Sequence, residues 1–123
     1  MERWREPVPH LLTRLSGRWT MPEYLAALDD LEAALLEESP IAGLSQLHET
    51  VHYPRGGLTY GPRIADRFGA MRIREVVPLT VIVVPQAFVR SASEIFVSLF
   101  YESTGVVAFA ETLEQALALL SND

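Results

Sequence analysis

The segment VVPLTVIVV, residues 76 to 84, decides the fold class of this 123-residue sequence. Most of its residues are β-branched, and apolar residues occupy neighbouring positions instead of alternating with polar ones. Such a pattern indicates a strand that is buried on both faces, which is typical of a parallel sheet covered by helices. Pro85 closes the segment. The stretch therefore predicts an α/β fold.

Helical patterns and further strands surround this segment. Thr20 and Glu23 form a capping-box pattern, and leucines at helical spacing then predict a helix as far as residue 38. Thr112 and Gln115 form a second capping box. Residues 8–20 suggest a short hairpin that turns at Ser16–Gly17. Further helices are predicted at residues 60–72, 86–103 and 113–120, with a short buried strand at 105–110. Strands that alternate with helices predict one domain over residues 1–123, with a mostly parallel sheet and right-handed crossovers.

Within the helix at 86–103, five residues recur on one side and are predicted to face the core. They are Phe88, Ala92, Ile95, Phe96 and Leu99. Phe100 and Tyr101 fall at the edge of this stripe. If that aromatic edge were exposed, it would indicate a homodimer or an apolar ligand pocket.

The composition excludes several kinds of chemistry. The chain contains no Cys and all ten of its cationic residues are Arg, which excludes disulfides, thiolate catalysis and a P-loop lysine. The net charge of −6 argues against nucleic acid as a partner. No segment reaches the roughly 20 apolar residues that cross a bilayer, and the N-terminus lacks the apolar run of a signal peptide. We therefore expect a cytoplasmic protein without a transmembrane segment.

The motif His48-Glu49-x-x-His52 matches the HExxH pattern of zinc peptidases. On a helix both imidazoles would share one face, with Glu49 as general base. In a strand they would stand about 13 Å apart at roughly 3.3 Å per residue, too far to share an ion. Pro54 and the β-forming residues before it favour the strand. A small zinc metalloprotein, with His48, His52 and Glu49 as metal-site residues, therefore remains an alternative hypothesis.

The charges are distributed unevenly along the chain. Residues 21–38 carry six acidic residues and no basic one, whereas residues 55–74 carry five of the ten arginines. The second span combines a glycine-rich turn with a helix start, where backbone amides bind anions. Arg55, Arg63 and Arg67 could then bind a phosphorylated metabolite, an anionic lipid or an acidic partner. The alternative is a solvated arginine face that pairs with the acidic helix.

Four segments together resemble the STAS/SpoIIAA-like superfamily, which has relatives among Sec14-type lipid-binding domains. They are GRWTMPEYLAALDDLEAAL (residues 17–35), LTVIVVP (79–85), AFVRSASEIFVSLF (87–100) and VVAFAETLEQALALL (106–120). The four segments fall within residues 17–120, and the resemblance rests on their order. It implies a sheet of four or five strands with helices packed mainly on one face.

The resemblance also implies a non-enzymatic regulatory or binding module without a cofactor. Its partner would be another protein or a small anionic ligand, and a homodimer is possible. Anti-sigma-factor antagonists of this group switch partners when a Ser in an Asp-Ser-x-Gly-like turn is phosphorylated. The corresponding residues 52–69 lack that motif, and Thr59 is their single Ser or Thr hydroxyl. Thr59 is therefore placed with the three arginines as a candidate anion- or partner-binding residue.

Overall fold

The computed structural model describes residues 1–48 and 57–121, and within them five strands form one sheet in the order β1-β2-β3-β4-β5. The strands are β1 (Glu2–Trp4), β2 (His10–Ser16), β3 (Ala42–His48), β4 (Thr80–Val83) and β5 (Val107–Ala110). β1 is antiparallel to β2, and the other neighbouring pairs are parallel. The prediction of an α/β fold with a mostly parallel sheet of four to five strands is confirmed.

Helices connect the parallel strands and follow the last one. They are α1 (Met21–Glu38), α2 (Gly57–Ala70), α3 (Ile73–Val76), α4 (Ala87–Leu99), α5 (Tyr101–Thr104) and α6 (Leu113–Ser121). Both predicted N-caps are present: the Glu23 amide donates to Thr20 Oγ1 at 3.3 Å and the Gln115 amide to Thr112 Oγ1 at 3.1 Å. These bonds satisfy amides that have no partner inside the helix.

The sheet separates two apolar clusters because successive strand residues point to opposite faces. In β2, Leu11 and Leu15 belong to the cluster formed with α1, α2, α3 and α4. Leu12, between them, belongs to the cluster that contains Ala116 and Leu120 of α6. Helices therefore lie mainly on one face, as the resemblance implies, and α6 covers the other.

The hairpin lies nearer the N-terminus than predicted. Residues 8–20 do not fold back on themselves, because the antiparallel partner of β2 is β1, with Trp4 opposite His10. Ser16 ends β2, and Gly17 adopts a φ of +61° at the passage to α1. The Gly17 amide donates to the His48 carbonyl at 2.9 Å, so this glycine joins the ends of β2 and β3.

The buried face of α4 differs from the predicted stripe. Ile95 and Leu99 are 59% and 61% exposed, whereas Val89 and Ser93 are buried. Phe96 is half-buried and packs on the core as predicted, while the Phe88 side chain lies outside the described part of the chain. The helix carries apolar residues on two adjacent faces, and periodicity alone did not distinguish the face that meets the sheet.

Candidate functional site

A cavity of about 130 Å³ lies between the sheet and the helices of the larger layer. Its floor is the centre of the sheet, where Thr13, Gly43, Ser45 and Thr80 point to this side. The strand register brings them together, since Thr13 lies opposite Ser45 and Gly43 lies opposite Thr80. These small residues stand where large apolar ones would fill the layer, so the helices above leave a space.

Larger apolar and aromatic residues form the walls of the cavity. Trp19 and Tyr24 line it near the start of α1, with ring centroids 5.9 Å apart. Ile64 and Phe68 of α2 and Phe96 of α4 complete these walls. None of the described residues that line the cavity carries a charge. An apolar enclosure with a few hydroxyl groups is suited to bind a small organic molecule.

Gly61 brings α2 close to the aromatic residues that follow α4. A Cβ atom at this position would lie 3.1 Å from Cε2 of Phe100, which is closer than ordinary van der Waals contact. The Phe100 and Phe96 rings are 5.0 Å apart between centroids, and Phe96 lines the cavity. Phe100 is thus half-buried against α2, and the Tyr101 side chain lies outside the described residues.

The first residue of the HExxH motif lies in a strand. His48 is the last residue of β3 and is opposite Ser16 of β2. Its carbonyl accepts a hydrogen bond from the Gly17 amide. In a helix that carbonyl would instead accept from the amide four residues later in the chain. The strand preferred from the sequence is confirmed for His48. Glu49 and His52 lie outside the described residues. Within the described part, no three His, Cys, Asp or Glu side chains lie close enough together to hold a metal ion.

The two described arginines of the predicted anion site differ in their contacts, because Arg67 forms ion pairs with described residues and Arg63 forms none with them. Arg67 donates to Asp29 of α1 at 2.8 Å and lies 3.8 Å from Glu32. Arg63, one turn earlier, is exposed, with its guanidinium carbon 5.2 Å from the centroid of the Tyr60 ring. Both arginines line a groove between α1 and α2. Arg67 is therefore engaged by the acidic helix, which is the alternative that the charge distribution suggested.

The remaining members of that predicted site are less well defined. Arg55 lies outside the described residues, as does the Thr59 side chain. The backbone of residue 59 belongs to the first turn of α2, which begins at Gly57 and contains Pro62 in its interior. Anion binding at this end of α2 stays a prediction.

We expect Arg67→Gln to lower the free energy of unfolding by less than about 1 kcal/mol, because its ion pairs are on the surface. Chemical denaturation of this variant, of Asp29→Asn and of the double variant would give the coupling energy between the two side chains. Arg18→Gln is the matched control, since Arg18 is exposed and forms no ion pair with any described residue. A coupling that persists unchanged at 1 M salt would contradict the surface location.

His10 is a buried polar residue on the opposite face of the sheet. It is 2% exposed, its Nδ1 lies 2.8 Å from the Val8 carbonyl, and its ring stacks on Trp4 with centroids 6.4 Å apart. The short distance identifies Nδ1–H as the donor to that carbonyl. Because His10 and the cavity lie on different faces, it has no access to a ligand there.

Sequence reasoning did not identify the cavity. Each of its floor residues is unremarkable alone, and their shared position depends on the pairing of β2, β3 and β4. The available signal is the run of small residues at inward positions of otherwise apolar strands, which becomes informative only once the register is known.

The fold and the cavity define a small α/β domain with a mainly apolar space between its sheet and its larger helix layer. Comparison of the chain with protein-family models, with curated proteins and with solved structures found no significant match. Among the helices of residues 1–48 and 57–121, none combines the length and apolar character that a bilayer crossing requires.

Proposed function

We propose that this chain is a non-enzymatic binding module of the STAS/SpoIIAA type that takes up a small molecule between its sheet and its helices. The observation that carries the proposal is the cavity of about 130 Å³ at the centre of the domain. Small-molecule sites are concave and mainly apolar, with a few polar groups that orient the ligand. The walls of Trp19, Tyr24 and Phe68 and the hydroxyl-bearing floor match that description.

The lining supports binding more than catalysis. A serine or threonine nucleophile needs an adjacent base that takes its proton. The described residues that line the cavity include Ser45, Thr80 and Ser93, but no His, Asp, Glu, Lys or Arg. A hydroxyl in this setting serves as a hydrogen-bonding group.

The arrangement of helices is also consistent with the proposed type. Four consecutive parallel strands with most helices on one face agree with the architecture that the sequence resemblance implies. A protein partner, a small anionic ligand and a homodimer, which the resemblance also implies, remain predictions.

A screen of small organic molecules by amide chemical-shift mapping tests the proposal. We expect binders to shift the backbone amides of Gly43, Ser45 and Thr80 and to raise the melting temperature with increasing ligand concentration. Ser45→Leu is the decisive variant, because its larger side chain occupies the cavity while the sheet position stays the same. It should fold with an unchanged or higher melting temperature and lose binding.

Two results would contradict the proposal. One is a set of binders that bind Ser45→Leu as well as the unaltered protein. The other is a set whose amide shifts lie around Arg63 and Asp66 in the groove between α1 and α2, away from the cavity.

A further inference from the structure

Two residues of the cavity floor, Ser45 and Thr80, have hydroxyl groups that form no hydrogen bond with any described residue. Three other hydroxyls of the lining are hydrogen-bonded: Thr13 donates to the Met1 sulfur at 3.6 Å, Ser93 to the Val89 carbonyl at 3.0 Å, and Thr104 to the Gly105 carbonyl at 3.4 Å. In the described part, no side-chain polar atom is both fully buried and unpaired. The hydroxyl oxygens of Ser45 and Thr80 are therefore not fully enclosed by protein atoms, and both residues line the cavity.

The register places Ser45 and Thr80 on the same face of the sheet. Thr80 lies opposite Gly43 and Ile82 lies opposite Ser45, so Ser45 and Thr80 are diagonal neighbours on adjacent parallel strands. A Cβ atom at Gly43 would lie 3.4 Å from Thr80 Oγ1. Because Gly43 has no side chain, no atom of residue 43 beyond its backbone covers the Thr80 hydroxyl. One oxygen atom of a ligand can thus approach the pair.

The size and polarity of the enclosure limit the ligand further. An apolar cavity of about 150 Å³ accommodates benzene, so the present volume of about 130 Å³ suits a single six-membered ring. The described lining contains no charge that could compensate an ionised ligand, and burial of an uncompensated carboxylate is strongly unfavourable. A hydroxyl surrounded by apolar groups is more stable when it is hydrogen-bonded.

From these observations we propose that the ligand is a neutral, single-ring molecule with one hydrogen-bonding oxygen, of the phenol or cyclic-alcohol class. Its ring contacts the aromatic walls and its oxygen bonds to the hydroxyls of Ser45 and Thr80. This assignment rests on the proposed function, because it names the ligand class of the same cavity.

Three probe molecules separate the contributions of shape, oxygen and charge: phenol, toluene and benzoate. Trp19 lines the cavity, and Trp4→Phe leaves it as the single tryptophan, so its fluorescence reports occupancy. For a ligand of this size we expect phenol to bind with a Kd between about 10 μM and 1 mM. Toluene should bind about 3- to 10-fold more weakly, and benzoate at least about 10-fold more weakly.

Two substitutions test the role of the floor hydroxyls. We expect Ser45→Ala and Thr80→Val each to weaken phenol binding by about 3- to 10-fold and to leave toluene binding unchanged. Ser98→Ala is the matched control, because Ser98 is exposed on α4 and does not line the cavity. It should change neither affinity, and melting temperatures of all variants verify that they are folded.

The outcomes distinguish this inference from the proposed function. Equal affinities for phenol and toluene, unchanged in Ser45→Ala and Thr80→Val, would overturn the assigned hydrogen-bonding role, although the cavity would still bind ligands. Benzoate that binds more tightly than phenol would overturn the neutral ligand class. If none of the probes alters Trp19 fluorescence and no screened molecule shifts the floor amides, both proposals fail.

Discussion

We expect Leu44→Ala to lower the free energy of unfolding by about 3 to 5 kcal/mol, the range for deletion of a leucine side chain from a rigid core. Leu44 is 1% exposed and lies in β3, the central strand. The register puts Leu12 and Val81 on either side of it, and Leu120 of α6 packs in the same cluster. Because β3 is hydrogen-bonded to a strand on each side and α6 packs over it, the cavity left by the removed side chain should not close. Urea denaturation measures the loss.

Leu36→Ala provides the matched control for this prediction. Leu36 lies in α1 and is 85% exposed, so the same substitution removes little buried surface. Alanine also has the higher helix propensity. We expect a change of less than about 0.5 kcal/mol. A loss below about 1 kcal/mol for Leu44→Ala would mean that α6 does not cover β3, and the second apolar cluster would have to be reassigned.

The fold class followed from local patterns whose physical causes are short-ranged. The β-branched run at residues 76–84 and the two capping boxes predicted a covered parallel strand and two helix starts. The structure has all three, but the strand is shorter than the run: β4 covers Thr80–Val83, and Val76 ends α3. The antiparallel edge strand β1, in contrast, could not be predicted from a local pattern. Residues 2–4 carry no strand signal of their own, and β1 pairs with the edge of the sheet that β2 would otherwise leave open. The exposed Arg3 also lies 2.8 Å from Glu37 of α1. Such long-range partners cannot be read from a local window.

The candidate site was less accessible to sequence reasoning because it depends on spaces between elements. Arg67 illustrates the difficulty. Arg63 and Arg67 lie four residues apart and line the same groove, but the engagement of Arg67 with Asp29 depends on how α1 packs against α2. The cavity depends on three strands in register and on helices that fail to fill the layer above them. Motif searches respond to reactive residue types, and this site contains mainly small and apolar ones.

Gly105→Ala is expected to lower the free energy of unfolding by about 2 to 4 kcal/mol, because two costs add at this position. Gly105 has a φ of +72°, a conformation that L-residues with a side chain seldom adopt. A Cβ atom there would also lie 3.2 Å from the Cα atom of Arg74, a backbone atom of α3. Movement of α3 would displace Ile73, which lines the cavity, so the affinity for the proposed ligand should fall together with stability.

Gly17 is the control that distinguishes the backbone cost at Gly105 from the cost of the contact with Arg74. Its φ of +61° is similar, but a Cβ atom there would meet nothing within 4 Å, so Gly17→Ala should cost only about 1 to 2 kcal/mol. Asparagine tolerates this backbone conformation better than alanine does. Gly17→Asn should therefore recover much of the loss, whereas Gly105→Asn should not, because its Cβ still meets Arg74. Equal losses for the two alanine variants in urea denaturation would show that the contact with α3 contributes nothing, and that the turn between α5 and β5 does not support the cavity wall.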